Sequence, residues 1–384
     1  MALGSGLAAQ IGFGIESTPG TVVTPTLFTP LVSESLKLDR ARLESAGIIA
    51  GRRVLDSDMW NGGNNTVSGD VQLELYDRSL GPLFRAMFGA VSTSGSDPYT
   101  HTFTPGELAD DTLTVQVGRP TVSGSVIPFT YGGCTVTSWQ LACATGAIAT
   151  LGLSVTGSSE QAGTRSVSDG VTTNGDATVT SSTAAFTDAD VGLTVSGTGV
   201  PAGATIASIN SATSIELSAA ATADGSSIAL VIGKALATAS YPSGLHPLKF
   251  NHGSITIGGS AVNVKSATVS GDNGLDTERR FIGSQWAGVP KESKLREYSG
   301  SLDVEFESLT QYRRYLAGDE FAVVLGFSVA GKSVTVTMNT RYEPGQTPAV
   351  AGMEIVQQKL PFKCIGDTDA EAITAVLVNS DATV

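Results

Sequence analysis

The sequence predicts a mainly β protein, and three observations predict it. Only 15% of the 384 residues are charged, against about 25% in an ordinary soluble domain, and Gly, Ser, Thr, Ala and Val fill the gap. Short runs of β-branched and apolar residues alternate with polar ones and are punctuated by glycine-rich turns. A strand–helix unit occurs twice, on either side of a segment of different texture. The expected architecture is two β domains, residues 1–163 and 239–384, each with one flanking helix. A small all-β module, residues 164–238, is inserted between them.

In the first unit Val71, Leu73 and Leu75 alternate with polar partners after Ser68-Gly69, the pattern of a strand with one buried face. Leu80, Leu83, Phe84 and Met87 then recur at helical spacing. Gly89 stands where a helix end needs a left-handed residue. The second unit repeats this order: Ser299-Gly300, alternating Leu302, Val304 and Phe306, then Leu309, Tyr312, Leu316 and a closing Gly318. The two align with a two-residue gap. Ser308 and Gln311 have capping-box spacing, so each side chain is expected to satisfy the other residue's free amide.

Upstream of each unit, after a strand and a Leu-Asp pair (Leu38-Asp39, Leu275-Asp276), runs a long polar segment, 38–68 and 275–299. Connections of this length are uncommon in compact domains and usually functional. The first carries Arg40, Arg42, Arg52, Arg53 and Trp60; the second carries Arg279, Arg280, Trp286, Lys291, Lys294 and Arg296. Arg and Trp are the side chains enriched at the centres of protein contacts. Arg42, Arg52, Arg53, Trp60 and the six residues of the second segment are therefore the candidate contact residues.

The intervening segment 164–238 holds one aromatic, Phe186. Strands are expected near 177–180, 193–196, 205–209, 214–217 and 228–232, with turns at Gly197-Thr-Gly199 and Pro201-Ala-Gly203.

Several functions are disfavoured. The net charge of −13 argues against tight binding to DNA or anionic lipid, which needs a basic face. No apolar run approaches the roughly 18 residues of a membrane helix, and residues 1–20 lack the pattern of a signal peptide. Cys134, Cys143 and Cys364 are expected as small buried hydrophobes in a reducing compartment. His101, His246 and His252 have no metal-ligand spacing. Gly4-Ser-Gly6 with Ala9 lacks the context of a dinucleotide site, and Asp188 with Asp190 lacks the rest of a calcium loop. No nucleophile–base set is present, so no catalytic residue, cofactor or metal is expected. The pairs Arg52-Arg53, Arg279-Arg280 and Arg313-Arg314 lack interleaved aromatics for base stacking and better suit carboxylates on a neighbouring copy.

The stretch Gly253-Ser-Ile-Thr-Ile-Gly-Gly259, then Val264 to Val269, Asn273-Gly-Leu-Asp276, Phe281-Ile-Gly283 and the strand 299–306 resembles siphophage major tail tube proteins. Gly12-Phe-Gly-Ile-Glu-Ser-Thr-Pro-Gly20 with Pro25-Thr26 resembles the start of the same family. The inserted segment, with Val191-Gly192, Gly197-Thr-Gly-Val-Pro201 and Ile215-Glu-Leu-Ser218, looks like a small β module of several virion proteins and departs from the minimal pattern.

The resemblance implies domains built as a β-sandwich or partial barrel flanked by one helix. Such domains form six-domain rings stacked around a tape-measure protein, with tail terminator and tail-tip proteins at the ends. DNA leaves the capsid through the lumen without specific binding. The tail is assembled in the host cytoplasm, with no membrane partner. The long segment before each helix-bearing strand would reach the next ring. With two such domains per chain, three chains would close a ring with pseudo-sixfold symmetry; the alternative is one large domain per chain and six chains. The rival functions are a secreted or surface adhesin-like β protein, which the Ser/Thr/Gly-rich insert favours, and a hydrolase on a β scaffold.

Overall fold

The computed structural model describes residues 4–108, 111–345, 347–350, 352–367 and 371–384. The first half supplies β1 (Gln10–Ile15), β2 (Leu27–Phe28), β3 (Leu31–Glu34), β4 (Lys37–Glu44), β5 (Trp60–Glu74), helix α1 (Gly81–Phe88), β6 (Gly89–Gly95), β7 (Tyr99–Pro105), β8 (Leu113–Pro120), β9 (Val126–Ala144), β10 (Thr150–Gly157) and β11 (Ser159–Ala162). These strands are antiparallel in the spatial order β1–β8–β9–β10–β5, with β3 and β4 on the far side of β5.

The 19-residue β9 belongs to two layers. Its first part lies between β8 and β11, and its second part runs beside β10. The change comes at Gly132-Gly133, where the ladder to β8 slips register and Gly133 has φ +61°. A bulge with a left-handed residue bends a strand, and glycine takes that conformation without a Cβ penalty. The Gly133 amide is not lost to the ladder: it donates to the buried carboxylate of Glu16. Glu16 also accepts from Thr112, Thr114 and the Gly20 amide, so this one carboxylate shapes the turn 16–20.

After the insert come β18 (Gly253–Ile257), β19 (Ser260–Ala261), β20 (Val264–Asp272), β21 (Leu275–Asp276), β22 (Lys291–Glu292), β23 (Glu297–Glu305), helix α2 (Thr310–Ala317), β24 (Phe321–Val329), β25 (Lys332–Tyr342), β26 (Gln357–Cys364) and β27 (Ile373–Asn379). Their order is β18–β24–β25–β26–β23–β20, with β27 on β25 where β11 lies on β9. The second half thus repeats the order of the first, apart from the β6–β7 hairpin, which has no counterpart after α2. The ladders set Asp39, opposite Thr66, in correspondence with Asp272, opposite Glu297. The Leu38-Asp39 pair therefore corresponds to Gly271-Asp272 and not to Leu275-Asp276.

Two antiparallel joints fuse the halves: β9 with β20 over 138–144 and 266–272, and β7 with β27 over 99–103 and 375–379. Nineteen strands become one connected sheet system over a single apolar core. Helix α1 lies on the inner side of the first joint. Phe88 packs at 5.3 Å from Trp139 of β9 and 6.4 Å from Tyr298 of β23, and Phe84 at 5.7 Å from Phe103 of β7. A salt-bridge cluster adds to the fusion. The buried Asp77 carboxylate is 2.9 Å from His246 Nδ1 and 3.0 Å from Lys332 Nζ.

Helix α2 differs from α1 in burial: it has no buried residue, and Leu309 and Leu316 are largely exposed. The expected capping box does not form. Gln311 Oε1 instead accepts from Arg314 and from Tyr342 Oη at 2.8 Å, so it cannot turn back to the helix start. Burial pushes the Tyr342 phenol up to about 12, which keeps it a donor.

The insert forms β12 (Arg165–Thr172), β13 (Thr178–Thr180), β14 (Val195–Ser196), β15 (Ile206–Ser211), β16 (Ser214–Leu217) and β17 (Gly225–Ile232). They make a six-stranded sheet, β14–β17–β12–β13–β16–β15, with its own core around Val179, Phe186, Ile215 and Leu230. Its entry and exit are adjacent, since Arg165 pairs with Ile232.

Candidate functional site

Three surfaces stand out, and each follows from the strand order. The first is a face. On β5, β10, β9, β20 and β23 the inward side chains are Val71, Leu73, Leu151, Leu153, Leu141, Val269 and Leu302, all buried. Period-two alternation puts Asp70, Gln72, Ser154, Gln140, Ser270, Ser299 and Asp303 on the opposite side. Because the β9–β20 joint keeps the pleat in step, this polar face crosses from one half to the other without a break. It curves around a recess of about 510 Å³ lined by Asp70, Gln72, Gln140, Ser154, Ser270 and Asp272. Its hydroxyls and amides satisfy one another: Ser154 donates to Asp70 at 2.7 Å, Gln140 to Ser270 at 3.2 Å, and Ser266 to Asp303. Lys265 lies beside Glu305 and Lys363 beside Glu297, and Lys359 stands across the ladder from Asp303. The face offers no aromatic platform and no cluster of unpaired cations, which are what nucleic acid needs for adhesion.

The second surface is an open strand edge. β20 is flanked by β23 and β9, but its counterparts β3 and β4 pair only with β5 among the described residues. β4 is exposed along nearly its whole length. Reciprocally, β9 continues past its bulge to meet β20, whereas β25 ends at Tyr342, level with the start of that continuation. Edges of this kind are templates for pairing with another chain.

The third surface is the end of the molecule that carries the two polar segments. The first, expected as a long connection, is instead a β-hairpin: β4 pairs with β5 from Lys37↔Ser68 to Glu44↔Trp60. Both of its faces are solvated there, so no apolar alternation marked it as strand. The second is a short β21–β22 ladder that closes the loop 277–290. Asn273 fixes its base, donating its side-chain amide to Val136 O at 2.8 Å. Gly274, at φ +62°, turns where a Cβ would strike Lys294 O.

The candidate contact residues separate into two groups here. Arg279 donates to Val289 O, and Arg280 to Asn65 O and Thr66 Oγ1. Trp286 packs half-buried on the core and bridges to Asn65. Arg296 donates to Phe88 O, to Gly106 O and to Glu292. Arg280 and Trp286 hold the second loop against the first hairpin, Arg296 holds its base against the end of α1, and Arg279 ties the loop to itself. By contrast, Arg42 lies 4.2 Å over the half-exposed Trp60 ring, and Arg52 is 3.2 Å from Asp56 at the hairpin tip. Arg53 and Lys291 are exposed, and Lys294 sits 3.7 Å from Asp272.

The sequence reading passed over the apolar tips. Ile48 and Ile282 are fully exposed, and Val54 and Phe281 mostly so. The available signal was an apolar residue in an otherwise polar segment.

No group of His, Cys, Asp and Glu among the described residues is arranged to hold a metal. The three cysteines are free, with burial holding their thiols above the usual range, Cys364 at about 12. Among the described residues no helix is long and apolar enough to cross a membrane.

A family model for the phage tail tube protein matches the chain over residues 6–242 and 213–364. No curated protein matches it. Two fused β domains, a continuous polar face and an open strand edge are parts suited to self-association. The chain belongs to the phage tail tube protein family, a structural component of the virion tail.

Proposed function

We propose that three chains close a pseudo-sixfold ring, that rings stack into the tail tube of a siphophage, and that DNA is ejected along the polar face. One observation carries this reading: the β20 half of the internal β9–β20 joint has its counterpart, β3–β4, standing as an open edge at the outside of the chain among the described residues. The edge of β3–β4 corresponds to β20, and the strand that would meet it on the next chain is β25, the counterpart of β9. Repeating the internal joint between chains closes the sheet on itself, as a heterologous contact does when its rotation closes. The exposure of α2 fits the same geometry. Its counterpart α1 is buried against the internal joint, and α2 would be covered by the joint to the next chain.

The polar face then lines the lumen. Carboxylates with paired lysines leave passing DNA repelled or indifferent. The insert leaves from β11 and returns beside β1 and β8, where Gln10 donates to Ala237 O and Gln116 to Ala235 O. None of these strands' contacts lies on the polar face, so we read 164–238 as a module on the outer wall between tube domains 1–163 and 239–384. A tape-measure protein inside the lumen, terminator and tip proteins at the ends, and assembly in the host cytoplasm complete the reading. Electron microscopy of the purified chain tests it. Tubes with three chains per ring are expected, and six chains per ring would sink the closure argument.

A further inference from the structure

The two ends of the second domain carry an exposed apolar pair and a groove with apolar lining. At one end, loop 277–290 presents Phe281 and Ile282 to solvent, with Ile282 wholly exposed. The turn that presents them is built, not slack. Gly288 donates to Arg279 O at 2.8 Å, Ser284 to Phe281 O at 3.2 Å, and Arg280 ties the loop to Thr66. At the opposite end, an open groove of about 610 Å³ is lined by Cys143, Phe250, Ile255, Val262, Val264 and Phe327. Strand β20 connects the two: it starts in the groove at Val264 and ends at Asp272, at the base of the loop. Nine residues of strand at about 3.3 Å each place loop base and groove some 26 Å apart along one axis.

Resting on the tube reading, we infer that Phe281 and Ile282 of one copy seat in the Phe250–Val262–Val264 groove of the copy in the adjacent ring. Two features single out a second copy of this chain as the occupant. A knob and a groove at opposite ends of one strand form a head-to-tail pair, the contact that generates an open stack. The first domain repeats the pattern with the same polarity. The tip of its β4–β5 hairpin exposes Ile48 and Val54. At the other end of β5, past Glu74, lies a groove of about 660 Å³ lined in part by Phe13, Ile15, Val23, Leu27, Pro82 and Val384. The basic residues of the loops then act as positioning residues that aim the apolar tips.

The test compares wild-type protein with the double variant Phe281→Ser/Ile282→Asp by electron microscopy and sedimentation. The variant is expected to accumulate rings or short stacks in place of tubes. Val171→Asp, on an exposed strand of the insert, is expected to leave tube length unchanged. Cross-linking supplies the register: Ile282→Cys with Val262→Cys, in a Cys143→Ala background, should give a ladder of disulfide-linked chains in oxidised tubes and none in dissociated rings. Tubes of wild-type length from the double variant overturn the inference, as does a missing ladder in intact tubes. Wild-type protein that forms neither rings nor tubes overturns the tube reading itself, and this inference with it.

Discussion

At the scale of single residues, Asp77 shows how much one carboxylate can organise. Burial opposes its charge, but hydrogen bonds from the His246 backbone and ring and from Lys332, with the lysine's charge, hold its carboxyl below the usual range. A carboxyl whose native pKa is depressed stabilises the fold above its unfolded value near 3.9. That contribution is lost as pH falls through the lower native value. Asp77→Asn is therefore expected to cost about 3 kcal/mol near pH 7, since it leaves a mostly buried lysine without its countercharge. The gap to wild type should close below about pH 4. Urea titrations at pH 7 and pH 3 check this; an equal gap at both would contradict the charge argument.

The tryptophans divide in the same way. Trp286→Ala removes core packing and should lower the melting temperature. Trp60→Ala, beside Arg42 on the hairpin, should leave the melting temperature near wild type and shorten tubes. Residue types announced a contact-rich region from sequence, but a guanidinium in a sequence does not say which carbonyl it will reach. Arg296, bonded to Phe88 O and Gly106 O some 190 positions and more away, could not have been sorted from Arg53 without the fold.

At the scale of elements, the alternating strands 71–75 and 302–306 and both helices were legible because each has one apolar side. What escaped were elements whose pattern is set by something else. β4 is solvated on both faces. β9 serves two layers, because Gly132-Gly133 allows a bend that the apolar pattern does not record. The capping box failed because Tyr342, distant in sequence, claimed Gln311.

Helix burial gives a direct contrast. Leu83→Ala in α1, fully buried, should cost about 3 kcal/mol. Leu316→Ala in α2, mostly exposed, should stay within about 0.5 kcal/mol in the isolated chain, yet impair ring closure. Equal stability losses, measured by thermal unfolding, would remove the asymmetry on which the covering of α2 rests. The insert offers a second check. Because Arg165 and Ile232 are paired neighbours, replacing 165–232 by a short Gly/Ser bridge should leave assembly intact. Ala235 and Ala237 must stay, since Gln116 and Gln10 bind them. A deletion variant that folds but yields no tubes would place the module in the assembly itself.

At the scale of the whole molecule, the polar face predicts a transport property. Asp70→Lys with Asp303→Lys would set unpaired cations along the DNA path, since the two carboxylates now only accept from Ser154 and Ser266. Virions carrying both changes are expected to eject DNA more slowly at low salt and to recover as salt rises, because phosphate contacts weaken with ionic strength. Unchanged ejection at low salt would remove this face from the lumen.

The internal β9–β20 joint also has a kinetic meaning. In a ring of three chains, three of the six contacts around the circle are made while each chain folds and never depend on protein concentration. A tether converts an encounter between molecules into an event within one, at a fixed effective concentration of about millimolar order. Nucleation of a ring then needs three bodies to meet rather than six, so its rate should follow a lower power of concentration. Half of each such three-chain ring would in effect be preassembled before the first partner arrives.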